Sequence, residues 1–77
     1  MTVFEVLDNF KCTSEESFNV VVKGCENELL LPHKMDYYEV RQSVLYYDDA
    51  EDKHIASVAE KIVISINLQN NIIIVEE

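Results

Sequence analysis

The chain has 77 residues, of which 48% are hydrophobic and 27% charged. This composition is typical of one small folded domain and too apolar for intrinsic disorder. Fifteen Asp and Glu against six Lys and Arg give a formal charge of -9, which repels phosphate backbones and anionic membranes and attracts basic surfaces. The charge therefore argues against direct binding of nucleic acid or lipid and favours a basic protein partner.

The N-terminal stretch MTVFEVLDNFK predicts a short helix from about Val3 to Lys11. Its apolar residues recur at helical spacing, and Thr2 with Glu5 has the spacing of a capping box. A strand remains an alternative, since Val and Phe also favour sheets. The acid at Glu5 and the lack of a basic segment are unlike a signal peptide, and no apolar run could span a bilayer, so the expected location is cytoplasmic.

Two apolar runs, FNVVVKG and ELLLP, predict a first hairpin with its turn from Gly24 to Asn27. Pro32 ends the second strand because proline has no backbone N–H to donate. Cys12 and Cys25 are expected to be free, partly buried thiols, as thiols are in a reducing compartment.

The stretch MDYYEVRQSVLYYD fits two structures. A helix is favoured by the capping-box spacing of Asp36 and Glu39 and by an apolar stripe that begins at Tyr37. A strand would place Tyr38, Val40, Val44 and Tyr46 on one face. The high β-propensity of Tyr and Val tips the prediction slightly toward the strand.

The C-terminal third changes from helical to strand periodicity. DAEDKHIASVAEKI predicts a helix from about Ala50 to Lys61, because its apolar residues follow helical spacing. A half-buried strand then follows, and Asn70 with Asn71 can supply the positive φ of a second hairpin turn. The apolar residues expected on the buried face of that strand are Ile62, Ile64, Ile66 and Leu68.

The last strand, IIIVEE, carries apolar residues on both faces. It must be covered on both sides within the domain or covered by a second copy of the chain. An apolar strand at an open edge would invite pairing, so a homodimer is predicted. The expected dimer interface consists of Ile72, Ile73, Ile74 and Val75.

These elements predict a single α+β domain over residues 1–77. The expected architecture is a small, mainly antiparallel sheet of two hairpins, packed by one or two helices.

An acidic cluster, Asp48, Asp49, Glu51 and Asp52, precedes the helix predicted near Ala50. It lacks the turn glycine and the distant bidentate Glu of a calcium loop. Its acids instead fit a helix N-terminus, where the helix dipole favours negative charge. The pair Asp48 and Glu51 has capping-box spacing.

The residue types that bind zinc are present, but their separation along the chain does not form short ligand pairs. These residues are Cys12, Cys25, His33 and His54. The alternative is two small thiols and two surface histidines. No catalytic set of nucleophile, base and orienting group is evident, so neither an enzyme nor a cofactor is expected.

Adjacent tyrosines followed by acids are typical of a protein-binding patch, because a Tyr ring supplies contact area and its hydroxyl a hydrogen bond. The alternative is that all four tyrosines line the edge of the core. The predicted partner-binding residues are Tyr46, Tyr47, Asp48, Asp49, Glu51 and Asp52.

The expected function is that of a small acidic protein that occupies a partner's basic surface. By analogy of size and charge, its sharpest form is an inhibitor that mimics nucleic acid, as do small phage proteins that block CRISPR or restriction nucleases. One alternative is a structural or regulatory homodimer joined through the C-terminal strand. Another is a small metal- or thiol-dependent enzyme.

Overall fold

The computed structural model describes residues 1–11 and 16–77, and the described residues form three helices and a three-stranded sheet. The predicted α+β fold is confirmed. Within those two ranges, every helix is too short or too polar to cross a membrane. The elements are α1 (Val3–Phe10), β1 (Asn19–Val22), α2 (Tyr37–Tyr46), α3 (Ala50–Ala59), β2 (Val63–Asn67) and β3 (Ile72–Val75).

Helix α1 begins with the predicted capping box. The Thr2 hydroxyl accepts a hydrogen bond from the Glu5 backbone N–H at 3.2 Å, and the Glu5 carboxylate accepts one from the Thr2 N–H at 2.9 Å. The N–H of Thr2 favours the ionised carboxylate and is the main reason why the pKa of Glu5 is lowered. The helix buries Val3, Val6 and Leu7, one apolar stripe at helical spacing.

Residues 37–46 form helix α2, so the slight preference for a strand in this stretch was wrong. The Asp36 carboxylate accepts from the Glu39 N–H at 2.9 Å, and the Glu39 carboxylate accepts from the Asp36 N–H at 3.2 Å. This capping box satisfies two backbone donors at the helix start, and the helix buries Val40 and Ser43. Capping and burial together outweigh the β-propensity of the tyrosines and valines.

The sheet has the strand order β1-β3-β2, with β1 parallel and β2 antiparallel to β3. The backbone of β3 is thus paired on both sides, and Ile73 and Val75 are fully buried. The dimer interface predicted at Ile72, Ile73, Ile74 and Val75 assumed an open edge, and this assumption was wrong. Strand β3 is the middle strand of the sheet formed by the described residues, and β1 and β2 are its outer strands.

The second hairpin, β2 to β3, is confirmed. Its turn ends at Asn71, which has the positive φ of 55° that Asn tolerates well. Strand β2 carries a bulge between Val63 and Ser65, so that Ile66 faces Ile73 across the ladder. Such an extra residue interrupts the regular alternation of faces.

The prediction that β2 is half-buried by its apolar face was wrong. The bulge and the position of β2 at the side of the sheet leave that face uncovered. The exposed fractions are 46% for Ile62, 45% for Ile64, 37% for Ile66 and 61% for Leu68.

The first predicted hairpin is only partly regular. The chain reverses at Gly24, whose φ of 89° suits glycine, but the segment after the turn forms no strand. It stays beside β1 because the Leu30 N–H donates to the Val20 carbonyl at 2.8 Å. The buried side chain of Asn19 holds Leu31 through both its amide nitrogen and its oxygen, each at 3.0 Å.

Candidate functional site

A surface groove lies at the corner where α2 passes into α3, and it is called here the corner groove. Its volume is about 340 Å³. Of the described residues that line it, four carry carboxylates and none is Lys or Arg. The lining residues are Met35, Glu39, Gln42, Ser43, Tyr46, Asp48, Glu51, Asp52 and Ile55.

Tyr47 makes the corner possible, because it ends α2 in the left-handed conformation, with φ 52° and ψ 38°. Its N–H closes the last turn by donating to the Ser43 carbonyl at 3.0 Å. Gly or Asn usually occupies such a position, since a Cβ atom makes the left-handed conformation unfavourable. The tyrosine is therefore held in a strained backbone directly beside the groove.

Helix α3 is capped by Asp49, whose carboxylate accepts from the Asp52 N–H at 2.8 Å. The predicted capping pair, Asp48 with Glu51, was therefore wrong by one position. The Asp48 N–H donates in turn to the Asp52 carboxylate at 3.4 Å. These bonds fix the turn between the two helices and bring its acids close together.

The structure keeps most of the predicted partner-binding residues at one surface. Tyr46 is 66% exposed and lines the corner groove together with three predicted acids, Asp48, Glu51 and Asp52. Asp49 serves as the α3 cap and does not line the groove. The predicted cluster is thus divided into residues that face the groove and one that supports it.

Tyr47 does not line the groove, but it is 53% exposed beside it. The Lys53 ammonium lies 5.8 Å from the centre of the Tyr47 ring, in the range of a cation–π contact. Both tyrosines of this pair are therefore available to a partner.

The other tyrosine pair behaves differently. Tyr37 is partly buried and stacks on Phe4, with 5.0 Å between ring centres, while Tyr38 is exposed. The alternative that all four tyrosines line the edge of the core therefore applies to Tyr37 alone. The two side chains of this pair point in different directions because they are neighbours on a helix. The alternation between the two faces of a strand is not the cause.

Sequence reasoning missed the contribution of α2 to the groove. Glu39, Ser43 and Tyr46 are spaced by four and three residues, so they share one face of a helix. Assigning a helix to this stretch would have found them. The His33 Nε2 atom lies 3.2 Å from the Glu39 carboxylate, which places an exposed imidazole near one of the groove's acids.

The floor of the groove is more apolar than its rim. Met35, Ser43 and Ile55 are buried, whereas most of the acids above them are exposed. No Lys or Arg is among the described residues that line the groove, so it should attract a positively charged side chain. The volume lies near the lower end of the roughly 300–1,000 Å³ that is typical of ligand pockets.

The candidate metal ligands do not form a site in the described part of the chain. No group of three or more His, Cys, Asp or Glu residues there is arranged to hold a metal ion. Cys25 is a free thiol and is exposed, so the expectation that it is partly buried was wrong. Cys12 lies outside the described residues. His54 is exposed and places its Nε2 atom 2.7 Å from the Leu30 carbonyl.

Similarity to known proteins assigns no role to the corner groove. Comparisons with protein-family models, with curated proteins and with solved structures give no match to this chain. A role can therefore be inferred only from the charge, shape and exposure of its own residues.

Proposed function

We propose that this protein is a small acidic binding protein that occupies the basic surface of a partner protein. The observation that carries the proposal is the corner groove, where four carboxylates meet and no Lys or Arg of residues 1–11 and 16–77 lines the wall. Tyr46 and Tyr47 stand exposed beside those acids. The proposed activity requires no catalytic step and no cofactor.

The chemistry of the groove supports a partner that presents Arg or Lys. A carboxylate and a guanidinium can form two parallel charge-assisted hydrogen bonds, which give both strength and orientation. The tyrosine rings add flat apolar contact, and Tyr and Arg are both enriched at the centres of protein interfaces. A cationic side chain in the groove would have Met35 and Ile55 beneath its aliphatic part.

In its most specific form, the proposal is that the carboxylates take the place of phosphates in a nucleic-acid-binding groove. The partner would then be a nuclease, such as a CRISPR or restriction enzyme, acting in the cytoplasm. The formal charge of -9 supports this form, because it allows long-range attraction to a basic channel. Occupation of that channel would block the nuclease by exclusion of its substrate.

The test begins with capture of the partner from an extract of the source cells at low and high salt. The affinity of the purified pair is then measured as a function of salt, with and without competing DNA or RNA. We expect steep weakening with salt and competition by nucleic acid, because both ligands would use the same basic residues. An affinity that changes with neither salt nor competing nucleic acid would refute the proposal that the protein mimics nucleic acid.

Two variants locate the binding surface. Glu51→Lys reverses a charge in the groove, while Glu28→Lys makes the same change in net charge at an exposed position outside it. We expect the first to weaken binding by about tenfold or more, as loss of a close charge pair does, and the second to weaken it much less. Equal effects would show that net charge, and not the corner groove, governs binding. Circular dichroism checks that both variants fold.

A further inference from the structure

In the described part of the chain, the outer edge of strand β2 is covered only at its beginning. There the Val63 N–H donates to the Met1 carbonyl at 2.7 Å, and Thr2 forms an isolated bridge to Ile62. Beyond Val63, no other strand of residues 1–11 and 16–77 pairs with this side of β2. We call residues 64–68 the open edge; they are the rest of β2 and the first residue of the turn that follows it.

The open edge lacks most of the features that normally prevent edge strands from pairing. Natural proteins place Lys, Pro or inward-pointing charges there, or twist the edge away with a bulge. In this chain, 27% of the residues are charged, yet residues 62–75 contain no charged residue and no Pro. One such feature is present, because the bulge between Val63 and Ser65 lies at Ile64, the first residue of the open edge and the neighbour of the covered Val63.

The opposite side of the sheet is better protected. Next to β1, the segment after the first turn provides the hydrogen bond from Leu30 to Val20. Strand β3 is paired on both sides. Pairing with another chain is therefore favoured at the open edge, where Ile64, Ile66 and Leu68 are also exposed.

We propose that the open edge pairs with the open edge of a second copy of this chain. The strands run antiparallel about a two-fold axis, and the two sheets become one sheet of six strands. A two-fold axis at residue 66 uses all five uncovered residues of each copy. Ile66 then lies opposite its own counterpart, Ile64 opposite Leu68, and Ser65 opposite Asn67.

A second copy fits this edge because the pairing is self-complementary. Apolar residues meet apolar residues, and polar residues meet polar ones, in the arrangement that a symmetric interface requires. Charge also favours this surface, since two chains of charge -9 repel each other wherever acids face acids. The uncharged open edge lets them approach with the least repulsion.

The size of the contact predicts a weak dimer. Five residues from each chain bury less than the roughly 1,200 Å² that stable complexes bury. The dissociation constant should therefore be in the micromolar range. Added salt should strengthen the dimer by screening repulsion between the two acidic copies, whereas it should weaken binding to a basic partner.

The test is sedimentation of the whole chain across micromolar concentrations, together with variants at residue 66. Ile66→Lys places two like charges opposite each other, and so does Ile66→Glu. Each variant alone should remain a monomer, whereas an equal mixture should form a heterodimer, because Lys then faces Glu across the axis. Leu29→Lys, at an exposed apolar residue outside β2, should dimerise like the wild type.

Thermal unfolding shows whether the variants at residue 66 are folded. If they are not, Leu68→Lys at the more exposed end of the open edge supplies the same test, and it should abolish dimerisation. A wild type that stays monomeric overturns the proposal. So does a dimer that survives Ile66→Lys or Leu68→Lys, since the contact would then lie elsewhere, including pairing with another region of the chain. None of these results depends on the corner groove.

Discussion

Replacement of Tyr47 tests whether the corner between α2 and α3 depends on a strained residue. Tyr47 has φ 52° and ψ 38°, the left-handed conformation that costs an L-residue about 1–2 kcal/mol. Glycine adopts it without that cost. The structure therefore predicts that Gly is better than Ala at position 47, the reverse of their order inside a helix.

The magnitudes follow from what each substitution keeps and loses. Tyr47→Gly removes the strain but adds flexibility to the unfolded chain, which costs roughly 0.5–1 kcal/mol. It also loses the exposed contact with Lys53, which is worth about 0.5 kcal/mol. Tyr47→Ala loses the same contact and keeps the strain. We expect the free energy of unfolding of the Tyr47→Gly variant to be about 0.5–1 kcal/mol higher than that of the Tyr47→Ala variant.

Urea unfolding of the two variants and the wild type measures this difference. In a domain of this size, 1 kcal/mol corresponds to a shift in Tm of about 4–8 °C, so thermal unfolding can also resolve it. If Ala is equal to Gly or more stable, residue 47 is not left-handed and the reasoning fails. Both variants remove the ring, so both should weaken partner binding even where Gly raises stability.

Substitutions at three further sites test other local contacts. Asp49→Ala should lower the free energy of unfolding by about 1 kcal/mol through loss of the α3 cap, while Asp48→Ala should change it little; equal effects in urea unfolding would contradict the observed cap. Asn19→Ala should lower the free energy of unfolding by about 2–3 kcal/mol, because it leaves the buried backbone N–H and carbonyl of Leu31 without partners. A change near zero in the same assay would show that these two groups find other partners. Glu5, whose pKa is lowered in the folded state, should stabilise the chain at neutral pH and lose that contribution as pH falls through the folded pKa. Glu5→Gln should therefore differ from wild type in unfolding experiments at neutral pH and converge with it in acid; a constant difference would contradict the capping contact.

Local signals were sufficient for two of the helices. Helix α1 has both a capping box and a regular apolar stripe, and α3 has a clear helical repeat, so both were predictable within a few residues. The stretch that became α2 carried opposing signals, and the capping box together with the burial of Val40 and Ser43 favoured the helix. Propensity alone could not show this, because tertiary packing regularly overrides it.

The arrangement of the strands depends on contacts between distant residues. Strand β3 pairs in parallel with β1, so that Ile73 meets Val20 across a long segment that contains α2, α3 and β2. A pattern within IIIVEE shows that both faces are apolar, but not which strands flank it. The bulge in β2 is similarly invisible to alternation, although it determines which residues face Ile73 and Val75.

The candidate site was predictable only in part, for the same reason. The acids of the turn and the tyrosines before it are neighbours along the chain, so their proximity needed no knowledge of the fold. Glu39 comes from an earlier turn of α2, and Ile55 from the middle of α3. Their convergence requires two packed helices, and the first of these was not predicted.

The two proposed surfaces differ in charge, and this difference separates their functions experimentally. The corner groove is acidic, so its affinity for a basic partner should fall as salt rises. The open edge is uncharged in a strongly acidic molecule, so association of two copies should increase under the same conditions. Ile66→Lys should abolish dimerisation and leave partner binding unchanged. Glu51→Lys should weaken partner binding and leave dimerisation unchanged. If one substitution abolished both, partner binding and dimerisation would be a single coupled event, and the corner groove would need the second copy to act.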